Sequence, residues 1–239
     1  PDRPEKLKFS PLVYNPPNPA DYRVKLPSGA VVYIYSDRER PLIDLSVNIR
    51  GGSYLDPDEK EGLASLTGYL MARGGIPSKP ADELDEELEF FAARLSSNFS
   101  GLNGSVSLNL LSKDADRGFE ILRAVLAAPS FQQDKLDLRK TQVIQGLKKR
   151  NDDSSSIESR ERNFLAYGDS FWFNRHPTTA SIESIRREDL LEFHHKWVNP
   201  KNFIISVSGD FEREDMLKRL NQLLGSWPHD GQFAPDVPQ

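Results

Sequence analysis

The side chains that most often carry out chemistry are sparse in this chain of 239 residues. Cysteine is absent, and all four histidines follow residue 175. Glu188, Glu192 and His195 are spaced i, i+4, i+7, so they share one face of a predicted helix and could bind a metal ion there. The same spacing is typical of a solvated helix face. His194 and His195 point about 100° apart around a helix, too far to share an ion easily. These residues therefore predict no metal site.

Composition excludes several classes of protein. Hydrophobic residues make up 37% of the chain and charged residues 28%, as in an ordinary globular protein. The net charge of −5 gives no reason to expect a nucleic-acid partner. No apolar run approaches the roughly 18 residues of a membrane-spanning helix, and the absence of cysteine excludes thiolate metal sites.

Proline-rich ends predict the domain limits. Six of the first twenty residues are proline, and the segment after Trp227 is also proline-rich. Such stretches lack backbone donors and favour extended linkers. We therefore predict an N-terminal extension (1–20), one domain (21–227) and a C-terminal linker (228–239).

Hydrophobic periodicity predicts an α+β fold. Alternating residues indicate strands at 22–26, 30–35, 42–49, 93–100, 104–111 and 202–209. Helical spacing indicates helices at 63–73, 81–92, 113–127, 132–150, 187–197 and 213–224. Ser155 and Glu158 predict a capping box for a further helix. Strands joined by hairpins and segregated from helices favour a mostly antiparallel sheet with helices packed on one face.

The segment from Gly51 to Gly75 has the residue order of a metal-binding helix without the ligands. It reads GGSYLDPDEKEGLASLTGYLMARGG. This frame resembles the insulinase/pitrilysin family of zinc peptidases, in which a Gly-Leu-Ala lead-in precedes an inverted His-x-x-Glu-His motif. The two histidine positions fall on Ser65 and Tyr69, and the glutamate position falls on Gly68.

The resemblance implies that the zinc chemistry has been lost. Zinc hydrolysis needs imidazole or carboxylate ligands, an open position for water and a nearby base. Ser65 and Tyr69 share a helix face, but a hydroxyl and a phenol are poor zinc ligands, and Gly68 has no side chain to act as a base. The family's third ligand, a glutamate on a later helix, falls on Gly146 beside Gln145. We therefore expect no zinc and no other cofactor.

Further landmarks extend the resemblance over nearly the whole domain. They are Ala127–Phe131, Arg175–Pro177, Phe193–Asn202 and Ser206–Asp210. Together they imply one of the homologous half-domains of an insulinase/pitrilysin-like, processing-peptidase-like protein.

One strand keeps a candidate binding role. In the family, peptide substrates add as an extra strand to a sheet edge beside the zinc. The matching residues here are Ser96, Ser97, Asn98, Phe99 and Ser100. Because this addition uses backbone hydrogen bonds, it does not need the catalytic side chains. The alternative is an edge strand kept short and polar against aggregation.

The resemblance implies a non-catalytic half or subunit of a zinc peptidase, which we expect to be inactive on its own because its metal site is degenerate. Its expected partners are a second homologous domain or a catalytic peptidase-like subunit, and extended peptides. Two alternatives stay open: an active zinc endopeptidase with displaced ligands, and a scaffold or binding module unrelated to proteolysis. Family resemblance also favours an exported, periplasmic location.

Overall fold

The computed structural model describes residues 16–169 and 171–238. Most of the predicted N-terminal extension, residues 1–15, lies outside this part, as do residues 170 and 239.

Six strands form one twisted sheet in the order β1-β2-β6-β3-β5-β4. All neighbours are antiparallel except β2 and β6, which run parallel. The strands are β1 (Arg23–Lys25), β2 (Val31–Ser36), β3 (Leu42–Arg50), β4 (Arg94–Ser100), β5 (Asn103–Leu111) and β6 (Phe203–Gly209). The predicted α+β class with a mostly antiparallel sheet is confirmed.

Alternation along the strands separates a buried face from an open one. In central β3, the side chains of Ile43, Leu45, Val47 and Ile49 are all buried. The residues between them are polar and point the other way, because successive side chains leave a strand on opposite faces. The sheet therefore has one apolar face for the helices and one polar face.

The part of the chain that the structure describes contains eight α-helices. They are α1 (Leu63–Arg73), α2 (Ala81–Phe90), α3 (Ala115–Ala127), α4 (Gln133–Lys149), α5 (Ser154–Tyr167), α6 (Thr179–Ser184), α7 (Arg187–Trp197) and α8 (Arg213–Gly225). Helix α1 packs against β4, α4 and α7, while α3 packs against β5 and α8. Helix α1 is therefore held between the edge of the sheet and the helical layer.

Two local features differ from the sequence-based expectations. The predicted capping box on Ser155 and Glu158 is wrong, because Asp153 caps α5 and its carboxylate accepts from the amides of Ser155 and Ser156 at 3.4 and 2.9 Å. An aspartate carboxylate caps a helix as well as a serine hydroxyl does, and Asp153 precedes Ser155 in the chain, so the helix begins after Asp153. Helix α6 was not predicted, since it has only six residues.

The segment after α8 runs back across the molecule. The Tyr54 hydroxyl donates to the Pro235 carbonyl at 2.9 Å, and the Trp172 indole donates to the Pro238 carbonyl at 3.2 Å. Ala234 is completely buried. Residues 228–238 are thus packed onto the domain, and their role as a linker stays a prediction.

Candidate site on the first helix

Asp56 fixes the start of α1. Its two carboxylate oxygens accept from the amides of Gly62 and Ala64 at 2.8 and 2.7 Å. These amides belong to the first turn of the helix, where backbone donors have no intrahelical partner. Burial raises the pKa of the Asp56 carboxyl to about 6, although the two amide hydrogen bonds oppose that shift. A single buried carboxylate therefore positions the helix that carries the family motif.

The four matched positions lie in different environments. Ser65 is exposed on α1, Tyr69 is half-buried, and Gly68 is buried. Gly146 lies on α4, where an added Cβ would meet no atom within 4 Å. The structure thus places all four on the two packed helices α1 and α4, as the resemblance implies, but provides no metal-binding side chain at any of them.

Strand β4 fills the space that a side chain at position 68 would need. A Cβ built on Gly68 would overlap the backbone nitrogen of Phe99 and the carbonyl carbon of Asn98. The Ser97 hydroxyl lies beside it, accepting from the Ala72 amide at 2.9 Å and donating to the Gly68 carbonyl at 2.5 Å. The Ala72 amide and the Gly68 carbonyl are the i and i−4 groups that pair with each other in a regular α-helix. The Ser97 hydroxyl bonds to both, so it links β4 directly to the backbone of α1. Gly68 therefore marks a close approach of helix and strand.

An arginine covers the second matched ligand position. The Arg139 guanidinium of α4 lies over the Tyr69 ring, with Cζ 3.9 Å from the ring centroid. This is the geometry of a cation–π contact. Because arginine stays protonated in proteins, a fixed positive charge sits beside Tyr69 and opposes the approach of a divalent cation.

These residues do not fit zinc. A catalytic site needs three protein ligands near 2.0–2.3 Å from the ion, whereas this one has a hydroxyl, a phenol under a guanidinium and a glycine. Within residues 16–169 and 171–238, no group of three or more histidine, aspartate or glutamate side chains is arranged to hold a metal ion. No step of hydrolysis can be assigned to these side chains.

The predicted peptide-binding residues lie on the outermost strand of the sheet. Strand β4 pairs with β5 on one side and with no other strand of the described chain on the other. Ser96, Asn98 and Ser100 are exposed, whereas Phe99 is buried and Ser97 is held by α1. Ser96 also lines a cavity of about 720 Å³ on the polar face of the sheet. Sequence reasoning therefore located an exposed strand edge, and peptide binding there stays a prediction.

The structure brings together three histidines that sequence reasoning treated separately. His194 and His195 of α7 lie 5.5 and 4.8 Å from the ring of His229, measured between ring centroids. His176 lies apart, next to Arg150 and Arg160. Little in the sequence indicated this cluster, because His229 is 34 residues from His195 in the chain and lies within a segment predicted to be a linker.

Comparison with known proteins places this geometry in a family. The family model described as Insulinase (Peptidase family M16) matches residues 31–168, which is more than half of the chain. The chain belongs to the insulinase family. A second model of the insulinase family, described as the peptidase M16 inactive domain, matches residues 184–239. The resemblance inferred from sequence is confirmed.

Three known proteins are similar to this chain in sequence or in fold. The chain is 25% identical over 189 residues to the non-peptidase homolog YmxG of Helicobacter pylori, covering 79% of this chain and 44% of that protein. The fold matches a peptidase M16 inactive domain from Pseudomonas fluorescens with a TM-score of 0.83 and 24% identity, over 91% of this chain and 53% of that one. It matches the periplasmic protease PqqL of Escherichia coli with a TM-score of 0.78 and 18% identity, over 90% of this chain and 25% of that one.

Two conclusions follow from these comparisons. The chain is a zinc-peptidase-like domain of the insulinase family, and the assignment of the family's ligand positions to Ser65, Tyr69 and Gly146 stays a prediction. It spans about half the length, or less, of the relatives it matches. None of the described helices is both long and apolar enough to cross a membrane.

Proposed function

We propose that this domain is the non-catalytic half of an insulinase-type peptidase assembly, in which it holds extended peptides and docks a second homologous domain. The observation that carries the proposal is the Gly68 contact. The space that a side chain would need at position 68, which the resemblance matches to the catalytic base, is occupied by the backbone of β4, while the rest of the fold is retained. A fold that keeps the strand edge but closes the catalytic position can hold a peptide without cleaving it.

The outer edge of β4 supports peptide binding. Edge strands offer unpaired backbone groups to an added strand, and such pairing needs no particular side chain. The neighbouring polar face supplies Ser46, Ser107 and Ser206, which lie in one row with Ser96 across four strands. These hydroxyls are neutral, so they can accept varied peptide sequences without a charge preference.

Helix α5 supports assembly. None of its residues is buried. Large apolar side chains stand exposed on it and on the turn that follows, namely Phe164, Leu165, Tyr167 and Phe173. An exposed apolar patch of this kind is typical of a protein–protein interface. We assign it to a second homologous domain, because the relatives are roughly two to four times as long as the matched region.

We also infer an exported location for the assembly, which the likeness to a periplasmic protease supports.

Single-cysteine labelling tests peptide binding, since the natural chain has no cysteine. An environment-sensitive fluorophore on Ser96→Cys should give a saturable change when the unfolded polypeptide β-casein is added, because the added strand would lie beside it. The matched control is Lys218→Cys, an exposed position on α8. No signal should arise there.

Equal signals from both labels, or none from Ser96→Cys, would contradict the binding role and favour a scaffold without peptide binding. Mass spectrometry of the same β-casein samples tests the enzyme alternative. We expect intact β-casein after incubation, and chelator-sensitive cleavage would instead support an active peptidase.

A further inference from the structure

The segment after α8 is attached to the domain mainly by neutral contacts. We call residues 227–238 the C-terminal strap. The Gln232 amide donates to the Lys196 carbonyl at 2.8 Å, and the Gln232 carbonyl accepts from Asn199 and Asn202 at 3.0 and 2.8 Å. The Ala234 amide donates to Asn202 Oδ1 at 3.0 Å. None of these groups titrates near neutral pH, so they hold the strap equally well across that range.

His229 is the exception, because it places an imidazole against two others. Its ring contacts those of His194 and His195. His194 is completely buried, and its Nε2 lies 2.9 Å from the Leu126 carbonyl, which can only accept, so Nε2 carries the proton. This leaves His194 Nδ1 buried without a partner, and both ring nitrogens of His229 are likewise buried without one. The site accommodates neutral rings.

Few other charges reach this cluster. Burial, and secondarily the charge of His195, lower the pKa of His229 below its ordinary value, although the backbone of His195 opposes this shift. Burial lowers the pKa of His194 to about 3, with His229 and His195 adding to the shift. The strap's Asp230 is paired with Lys201 at 2.8 Å, which lowers its pKa, so it stays ionised near neutral pH. On α7, Glu192 shares the helix face of His195 and Lys196 follows it in the chain, while Arg123 of α3 donates to the Ser226 carbonyl at 2.7 Å. The charged group that acts on the His229 ring itself is His195.

We propose that the three-histidine cluster is a pH-sensitive latch, which holds the C-terminal strap closed at neutral pH and releases it when His229 is protonated. Release would free Asn199 and Asn202 before β6, together with Tyr54 in the loop that leads to α1. The latch does not depend on peptide binding or on assembly.

The direction of the effect follows from proton linkage. Proton binding favours the open strap, where His229 regains its ordinary pKa of about 6.5. The strap is therefore held most firmly above about pH 6.5. When the pH falls one unit below this value, the equilibrium constant for opening of the strap rises by up to about tenfold.

Native-state hydrogen exchange measures this opening in the full chain. We expect the protection factors of the Gln232 and Ala234 amides to fall between about pH 7.5 and about pH 5.5, by at most roughly tenfold. Amides of the central strand β3 should keep theirs, which separates strap release from global unfolding. Unchanged protection in the strap, or an equal loss in β3, would overturn the latch.

Two variants locate the effect. His229→Gln keeps a polar side chain without a titrating ring and should remove the pH dependence, whereas His176→Gln changes the histidine outside the cluster and should keep it. A full pH response in His229→Gln, or its loss in His176→Gln, would refute the assignment. Should the strap of His229→Gln be open at every pH, the parent decides the question. Its strap protection must start to fall at about pH 6.5 and level off at the pH where NMR shows His229 titrating in the closed protein. A loss of protection that continues unchanged through that titration overturns the proposal.

Discussion

Replacing Gly68 by alanine is expected to lower the free energy of unfolding by about 3 kcal/mol. The added Cβ would overlap backbone atoms of Asn98 and Phe99 rather than a flexible side chain. Relief therefore requires α1 and β4 to separate, which also strains the Ser97 bridge between them. Urea denaturation followed by circular dichroism measures the change.

Gly146→Ala is the matched control, because both glycines are helical and the sequence resemblance assigns both to functional positions of the zinc peptidases. A Cβ on Gly146 meets no atom within 4 Å. Alanine is the better helix former, so this variant should gain about 0.5–1 kcal/mol. The two substitutions should thus have opposite signs. A Gly68→Ala protein as stable as its parent would show that α1 and β4 are not in close contact.

The same contact limits any attempt to restore the active site. Introducing glutamate at position 68 adds a larger side chain to a position that has no room for a methyl group. Histidines at positions 65 and 69 would therefore not be accompanied by a correctly placed base. The proposed loss of activity therefore has two causes: the four missing side chains, and the close packing of α1 against β4, which leaves no room for a side chain at position 68.

Asp56→Ala is expected to destabilise the domain by about 2 kcal/mol at pH 7, because the buried amides of Gly62 and Ala64 lose their acceptors. The folded-state pKa of Asp56 is raised from 3.8 to about 6. Its contribution is therefore complete below pH 3.8 and is lost as the pH rises through about 6. The deficit of the variant should accordingly grow by roughly 1 kcal/mol between pH 7 and pH 5.

Asp58→Ala provides the control for this comparison. The Asp58 side chain is 96% exposed and pairs only with Arg175 among the described ion pairs. Exposed pairs contribute little, so the variant should stay within about 0.5 kcal/mol of the parent at both pH values. A deficit for Asp56→Ala that shrinks at pH 5, measured by denaturant unfolding, would contradict the buried ionisation described above.

Much of the fold could be predicted because local patterns record it. The alternation in β3 and the spacing of Leu63, Leu66 and Leu70 in α1 directly reflect which side chains are buried. The family frame around Gly68 then identified the candidate site. Short elements such as α6 were not predicted, because six residues are too few to show a helical periodicity.

Contacts between distant segments could not be predicted in the same way. The sequence showed that Gly68 lacks a side chain but not that β4 occupies its place. The stacking of Arg139 on Tyr69 and the approach of His229 to α7 likewise depend on tertiary packing. Each of these contacts joins residues at least 30 positions apart, where spacing rules on one element carry no information.

The central claim is that this insulinase-family fold has lost the ability to bind zinc at the site on α1. The most direct test is the zinc content of the chain after chelator treatment, reloading with excess zinc and removal of unbound metal, measured by inductively coupled plasma mass spectrometry. We expect far less than one zinc ion per chain. A stoichiometry near one, abolished when Tyr69 is replaced by phenylalanine, would contradict the account.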